Sequence, residues 1–158
     1  HFISDAEYDK LKAEDAFYEC VDSQYGARYG TLRSEVDGFL NVGEDVLFDM
    51  DWDGARQMKA KAPDDVVTIY LLPPSIVELR RRLYGRGTDS EEVIKKRMSQ
   101  FPDKVSHWKE FDYVMLNVNL EETVYKAQKI ISAERMKRVR QTGVAEFVDH
   151  LLTEAQHG

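Results

Sequence analysis

The chain has 158 residues, 42% of them hydrophobic and 32% charged, with a formal net charge of -7. That length supports one ordinary domain with its own core, and the acidic balance argues against binding nucleic acid through the surface as a whole. A single cysteine, Cys20, excludes an internal disulfide and suits a reducing compartment, and no apolar run reaches the ~18 residues of a membrane span.

Residues 5–13 carry helical spacing, with Asp5 as N-cap and Tyr8 and Leu11 on one face. Residues 16–21 alternate as a strand, and 27–29 pair with them across a turn holding Gly26. Leu32, Val36 and Leu40 repeat at helical spacing up to Gly43. Residues 46–51 then read as an apolar strand ending in Asp49 and Asp51. Alternation puts both carboxylates on one face. A helix follows near 53–61. Val66 to Leu72 reads as a strand buried on both faces and stopped by Pro73-Pro74. Helices are predicted over 75–84, up to Gly85 and Gly87, and over 90–100, started by Asp89 with Glu92. Tyr113–Leu116 reads as a third buried strand. A long helix bears Leu120, Val124, Ala127 and Ile131, and a last helix spans 144–155. Strands alternating with helices predict a parallel α/β sheet, with the hairpin near 16–30 as a small insertion.

An apolar strand ending in Asp is how P-loop enzymes hold magnesium water beside a phosphate. Its usual partner is a Gly-rich loop ending in Gly-Lys-Ser/Thr, and the 158 residues contain no Gly-Lys dipeptide. Arg80, Arg81, Arg82 and Arg86 cluster within seven positions, and Arg97 follows. Guanidinium forks match phosphate oxygens bidentately, and Gly85 and Gly87 free the backbone around Arg86, as a closing lid requires. Taken alone, the set equally suits a solvated basic helix partnered by Glu78, Glu91 and Glu92. The basic run Arg135, Lys137, Arg138 and Arg140 reads as a solvated face at a helix C-terminus. His107 beside Trp108 reads as structural, and His150 and His157 have no metal spacing.

Collinear motifs resemble the guanylate kinase family of bacterial type. They are Phe-Tyr-Glu at 17–19, Arg-Tyr-Gly-Thr at 28–31, Val-Leu-Phe-Asp-Met-Asp-Trp-Asp-Gly at 46–54 and Leu-Pro-Pro-Ser at 72–75. They continue with the run from Arg82 to Ile94, Lys-Arg-Met at 96–98, Ser-His-Trp at 106–108, Phe-Asp-Tyr-Val at 111–114 and Ser-Ala-Glu-Arg at 132–135. The resemblance implies a P-loop nucleoside monophosphate kinase fold: a parallel core sheet with helices on both faces, a small GMP-binding subdomain and a helical lid. Residues 1–44 correspond to part of the GMP subdomain, 45–81 to core, 82–98 to the lid region, and 99–158 to core and C-terminal helices. The implied reaction moves the ATP γ-phosphate to GMP, giving GDP and ADP with Mg2+. GMP is largely dianionic at neutral pH, so this chemistry asks for positioning and charge neutralisation rather than a general base.

Carried over by motif, Glu19 resembles the carboxylate that reads guanine, Thr31 helps hold the base, Tyr29 meets the GMP phosphate and Asp51 faces the GMP pocket. Asp49 lies on the magnesium side, through water. Arg82, Arg86 and Arg97 resemble phosphate-clamping arginines, the first two on the ATP side with Asn117. The family usually carries Asn-Asp-Asp where this chain has Asn117-Val118-Asn119, and Phe101 and Lys104 replace the usual Ala and Glu. Expected partners are GMP and ATP, without nucleic acid or membrane and in the cytoplasm; homo-oligomerisation is left open. The resemblance also places a phosphate loop, two core strands and a GMP-gripping segment before His1. Residues 1–158 are therefore expected to be part of a longer kinase and to lack ATP turnover alone. The competing reading is a guanylate-kinase-like interaction module without catalysis.

Overall fold

The fold begins with a helix, α1 (Asp5–Ala13), with the predicted bounds but capped one residue earlier: the Ser4 hydroxyl, rather than Asp5, accepts from the Glu7 N–H at 3.2 Å. This computed structural model describes residues 2–22 and 28–157. The predicted turn at Gly26 lies outside the described residues. The described residues form two compact units, divided between Thr68 and Ile69.

In the first unit, β1 (Phe17–Asp22) pairs antiparallel with β2 (Arg28–Leu32). A register irregularity falls between Phe17 and Glu19, so Phe17 faces Leu32 while Glu19 faces Thr31. Gly30 sits where the ladder leaves no room for a side chain. A Cβ there would lie 2.9 Å from the Glu19 carbonyl oxygen and 2.9 Å from a Phe17 ring carbon. Two helices follow, α2 (Arg33–Leu40) and α3 (Trp52–Lys61). Tyr18, Val36 and Met58 form the buried core, one from β1, one from α2 and one from α3. Burying side chains of this size stabilises by roughly 1.5–3 kcal/mol each.

The predicted strand at 46–51 keeps its alternation but has no strand partner among the described residues. Val46, Phe48 and Met50 pack on the core cluster, while Leu47 between them is 90% exposed. The two-residue period is that of extended backbone. A strand additionally needs a neighbouring ladder, which apolar patterning does not provide.

In the second unit, β3 (Ile69–Leu72) and β4 (Tyr113–Leu116) pair in parallel, Ile69 opposite Tyr113 and Leu72 opposite Leu116. The parallel pairing expected from strand–helix alternation is present. Met115 is buried, but Leu71 and Leu116 are exposed, so the pair is covered less completely than their apolar runs predict. Between the strands lie α4 (Ile76–Gly85) and α5 (Glu91–Ser106). Ser90, not Asp89, caps α5 by accepting from the Val93 N–H. The helix also continues through Pro102, beyond its predicted end near residue 100. Proline removes one helical hydrogen bond there, and the Tyr70 hydroxyl, from β3, donates to the Lys104 carbonyl at 3.0 Å and anchors the last turn. A long helix, α6 (Leu120–Arg135), and a final one, α7 (Val144–His157), complete the unit.

The basic run after α6 is not simply solvated. Glu134 is 5% exposed, accepts from the Tyr113 hydroxyl, and pairs with Lys137 at 2.7 Å and Arg140 at 3.5 Å. His107 opens a short 3-10 turn and contacts Glu110, in keeping with a structural role. Among the described residues, no helix is long and apolar enough to cross a membrane.

Candidate functional site

The hairpin and the extended segment after α2 enclose a cleft of about 510 Å³ in the first unit. Glu19, Tyr29, Thr31, Asp49 and Asp51, all singled out from sequence, line it together. Phe48, Met50 and Gly54 complete the wall.

Glu19 is 6% exposed even though it stands on a two-stranded hairpin. Directly opposed residues on one face of an antiparallel pair have Cβ atoms close enough for side chains to meet. The Thr31 hydroxyl accordingly donates to Glu19 Oε1 at 2.9 Å. The second oxygen, Oε2, lies 3.6 Å from where a Cβ on Gly54 would sit. A carboxylate whose one oxygen is held by a threonine retains acceptor capacity for two adjacent N–H donors on a flat ligand.

Asp51 both lines the cleft and starts α3: its Oδ1 accepts from the Gly54 N–H at 3.0 Å. The carboxylate at this position is favoured by the helix dipole. Asp49 stands two residues earlier on the same side of the extended segment and is exposed to the cleft. Tyr29 is half exposed, and burial, followed by the Asp51 and Glu19 carboxylates, pushes its hydroxyl pKa upward. The phenol therefore stays a proton donor through neutral and mildly alkaline pH.

Two residues that brace the cleft, Gln57 and Tyr8, are not among the sequence candidates for the site. Gln57 accepts from the Cys20 N–H at 3.1 Å and donates to Asp53 at 2.9 Å, tying α3 to β1 beside Glu19. Its i,i+4 spacing from Asp53 was the available signal. Tyr8, 3% exposed, shares its one hydroxyl proton between the Val21 carbonyl at 3.2 Å and the Tyr29 carbonyl at 3.4 Å and so braces the backbone at Tyr29.

The remaining sequence candidates belong to the second unit. Arg82 donates from Nε to Glu78 Oε1 at 2.7 Å and from Nη2 to the Val118 carbonyl at 3.1 Å. Arg86 is exposed at the end of α4, next to Gly87 with φ +63. Arg97 lies on α5 and pairs with Asp89 at 3.4 Å. The Asn117 N–H donates to the Leu72 carbonyl at 2.8 Å, and the Thr123 hydroxyl lies 3.3 Å from Asn117 Oδ1. The departures at 118 and 119 are absorbed locally. Asn119 caps α6 by accepting from the Glu122 N–H at 3.1 Å, a role Asn and Asp fill equally well. Val118 contributes its backbone carbonyl, which does not depend on side-chain identity.

Parallel strands joined through helices, with a carboxylate-lined cleft on a separate hairpin subdomain, are features of a nucleoside monophosphate kinase of the α/β class. Comparison with known proteins makes the class specific. The sequence profile of guanylate kinase matches residues 1–134. Guanylate kinase of Zymomonas mobilis is 45% identical over 152 residues, which are 96% of this chain and 70% of that protein. The guanylate kinase of Paramagnetospirillum magneticum is 43% identical over 151 residues, with the same two coverages of 96% and 70%. The crystal structure of guanylate kinase from Anaplasma phagocytophilum superposes with a TM-score of 0.75 at 29% identity, covering 95% of this chain and 72% of that one. The chain belongs to the guanylate kinase family.

Proposed function

We propose that the protein transfers the ATP γ-phosphate to GMP, giving GDP and ADP, and that Glu19 and Thr31 select the base. The observation that carries this reading is the buried Glu19 carboxylate held by Thr31 at 2.9 Å in the cleft. Guanine offers adjacent N1–H and N2–H donors to such a carboxylate, and adenine has no equivalent pair. Tyr29 donates to the GMP phosphate and Asp51 borders the same ligand.

Arg82, Arg86 and Arg97 are assigned to the phosphates, with Asn117 on the adenine side. In this assignment residues 1–44 contribute the GMP subdomain, 45–81 core, 82–98 the lid region, and 99–158 core and C-terminal helices. GMP itself is the nucleophile, so the protein's task is in-line positioning and spreading of the negative charge. Guanidinium groups suit that task because they remain charged when water is excluded.

Asp49 fits a magnesium ion held through water. It is an exposed oxygen donor in the cleft, and magnesium commonly keeps several waters while using only one or two carboxylates. When bound, the ion would neutralise charge on the polyphosphate. Residues 1–158 contain no Gly-Lys-Ser/Thr loop to cradle that polyphosphate, so we propose that they do not turn ATP over by themselves. The family membership and the chemistry of the substrates support a cytoplasmic setting.

The test is calorimetric titration of GMP, AMP and guanosine. GMP should bind at least tenfold tighter than AMP. Equal affinity for the two would remove the guanine assignment.

A further inference from the structure

Glu78 occupies the third position of α4, and its backbone N–H donates to the Ser75 hydroxyl at 3.1 Å. Ser75-x-x-Glu78 has the pattern of a capping box, in which the Glu side chain reaches back to the cap. Here the carboxylate runs forward along the helix instead. It accepts two bonds from Arg81, each 2.7 Å, and Oε1 also accepts from Arg82 Nε at 2.7 Å. These two arginines, Arg81 first, hold the carboxyl down to about 2, so it is ionised at every working pH.

The two arginines are not equivalent. Arg81 is 74% exposed and its bonds stay within the helix. Arg82 is 31% exposed and is also held by the Val118 carbonyl, 36 residues along the chain. A guanidinium has five N–H donors in one plane. Glu78 takes the one on Nε and Val118 takes one on Nη2. Two remain on Nη1 and one on Nη2, three donors at the outer end of the fork for the oxygens of a phosphate.

We propose that Glu78 is a positioning residue for the reaction, fixing the Arg82 guanidinium so that its Nη1/Nη2 end is presented to the transferring phosphate. The proposal rests on the assignment of Arg82 to the phosphates made above. Glu78 touches neither substrate; it acts by pre-orienting Arg82, which otherwise must be ordered at the moment of reaction. Gln at this position has one acceptor oxygen where three guanidinium bonds now converge, and its amide N–H2 faces donors.

The experiment is a double-mutant cycle on the protein expressed at its full encoded length, assayed for GMP phosphorylation, with melting curves for every variant. Glu78→Gln should lower kcat on the order of tenfold, since small misplacements of a catalytic group have effects of this size or larger. The KM for GMP should stay within about twofold, because no guanine contact changes. Arg82→Ala should lower kcat by about 10³, in the range of transition-state arginines. Adding Glu78→Gln to Arg82→Ala should change nothing further. An unaltered kcat in Glu78→Gln, or an equal loss in both backgrounds, would overturn the positioning role while the reaction stands. A wild-type protein that does not phosphorylate GMP, or an Arg82→Ala variant of full activity, would sink the assignment underneath and this role with it.

Discussion

Glu19 and Thr31 face each other across the hairpin, and the Thr31 hydroxyl donates to Glu19 Oε1 at 2.9 Å. The pairing exists because the β1 register shifts between Phe17 and Glu19. Irregularities of this kind re-aim side chains at functional sites. The threonine orients one oxygen and leaves the carboxylate able to accept from a ligand.

Replacing that carboxylate is the direct probe of base recognition. Hydrogen bonds to a charged acceptor contribute roughly 1.5–3 kcal/mol each, so Glu19→Gln should weaken GMP binding by roughly 10- to 150-fold. AMP binding should be nearly unaffected. Calorimetry with both nucleotides reads the difference; parallel losses for the two would mean that the variant disturbs the fold rather than the base contact.

Tyr29 should act on the phosphate and not on the base. Tyr29→Phe is expected to cost roughly 1.5 kcal/mol or more of GMP affinity, the worth of one charge-assisted bond. Guanosine, which has no phosphate, should bind as it does to wild type. The raised hydroxyl pKa means that the phenol contributes no loss of GMP affinity between pH 7 and 9. A fall in wild-type affinity over that interval that Tyr29→Phe abolishes would contradict a retained donor.

Gly30 is required by space. A methyl there would approach the Glu19 carbonyl and the Phe17 ring at 2.9 Å, and neither the ladder backbone nor a buried ring moves cheaply. Gly30→Ala should destabilise by about 1–3 kcal/mol, typical of overpacking. Urea unfolding followed by circular dichroism measures this. A midpoint unchanged from wild type would show that the hairpin relaxes freely.

The buried Glu134 should make stability sensitive to acid. Lys137 and then the Tyr113 hydroxyl hold its carboxyl below the ordinary range. A folded-state pKa below the unfolded value contributes stability that is present above the unfolded value, near 4.3, and is lost as pH falls through the lower folded one. The melting temperature should therefore drop on acidification from about pH 4.5 downward. Glu134→Gln should melt several degrees lower at pH 7 and show a shallower acid dependence. Identical acid profiles for variant and wild type would remove Glu134 as a contributor.

Much of this was legible in the chain. The helix at 5–13 and the strand at 113–116 have the predicted bounds, because periodicity of 3.6 or 2 is a local property of the residues. Caps were misread by one residue at Asp5 and Asp89, where the adjacent Ser4 and Ser90 hydroxyls accept the helix N–H instead. The segment at 46–51 read correctly as extended but incorrectly as a strand, since a ladder depends on what lies alongside. The cleft residues were nameable from motif order, and five of them do line one cavity.

The sequence by itself determined which chemistry is available: a glutamate on the hairpin, paired aspartates, and a set of arginines within a few turns of helix. Only the tertiary structure decided how those groups are held. Glu19 meets Thr31 through a cross-strand register, and Arg82 is braced by a carbonyl 36 residues away. Neither relation is written in spacing along the chain. Local periodicity specifies which face a residue occupies, whereas its partner is chosen by segments that become neighbours only when the chain has folded.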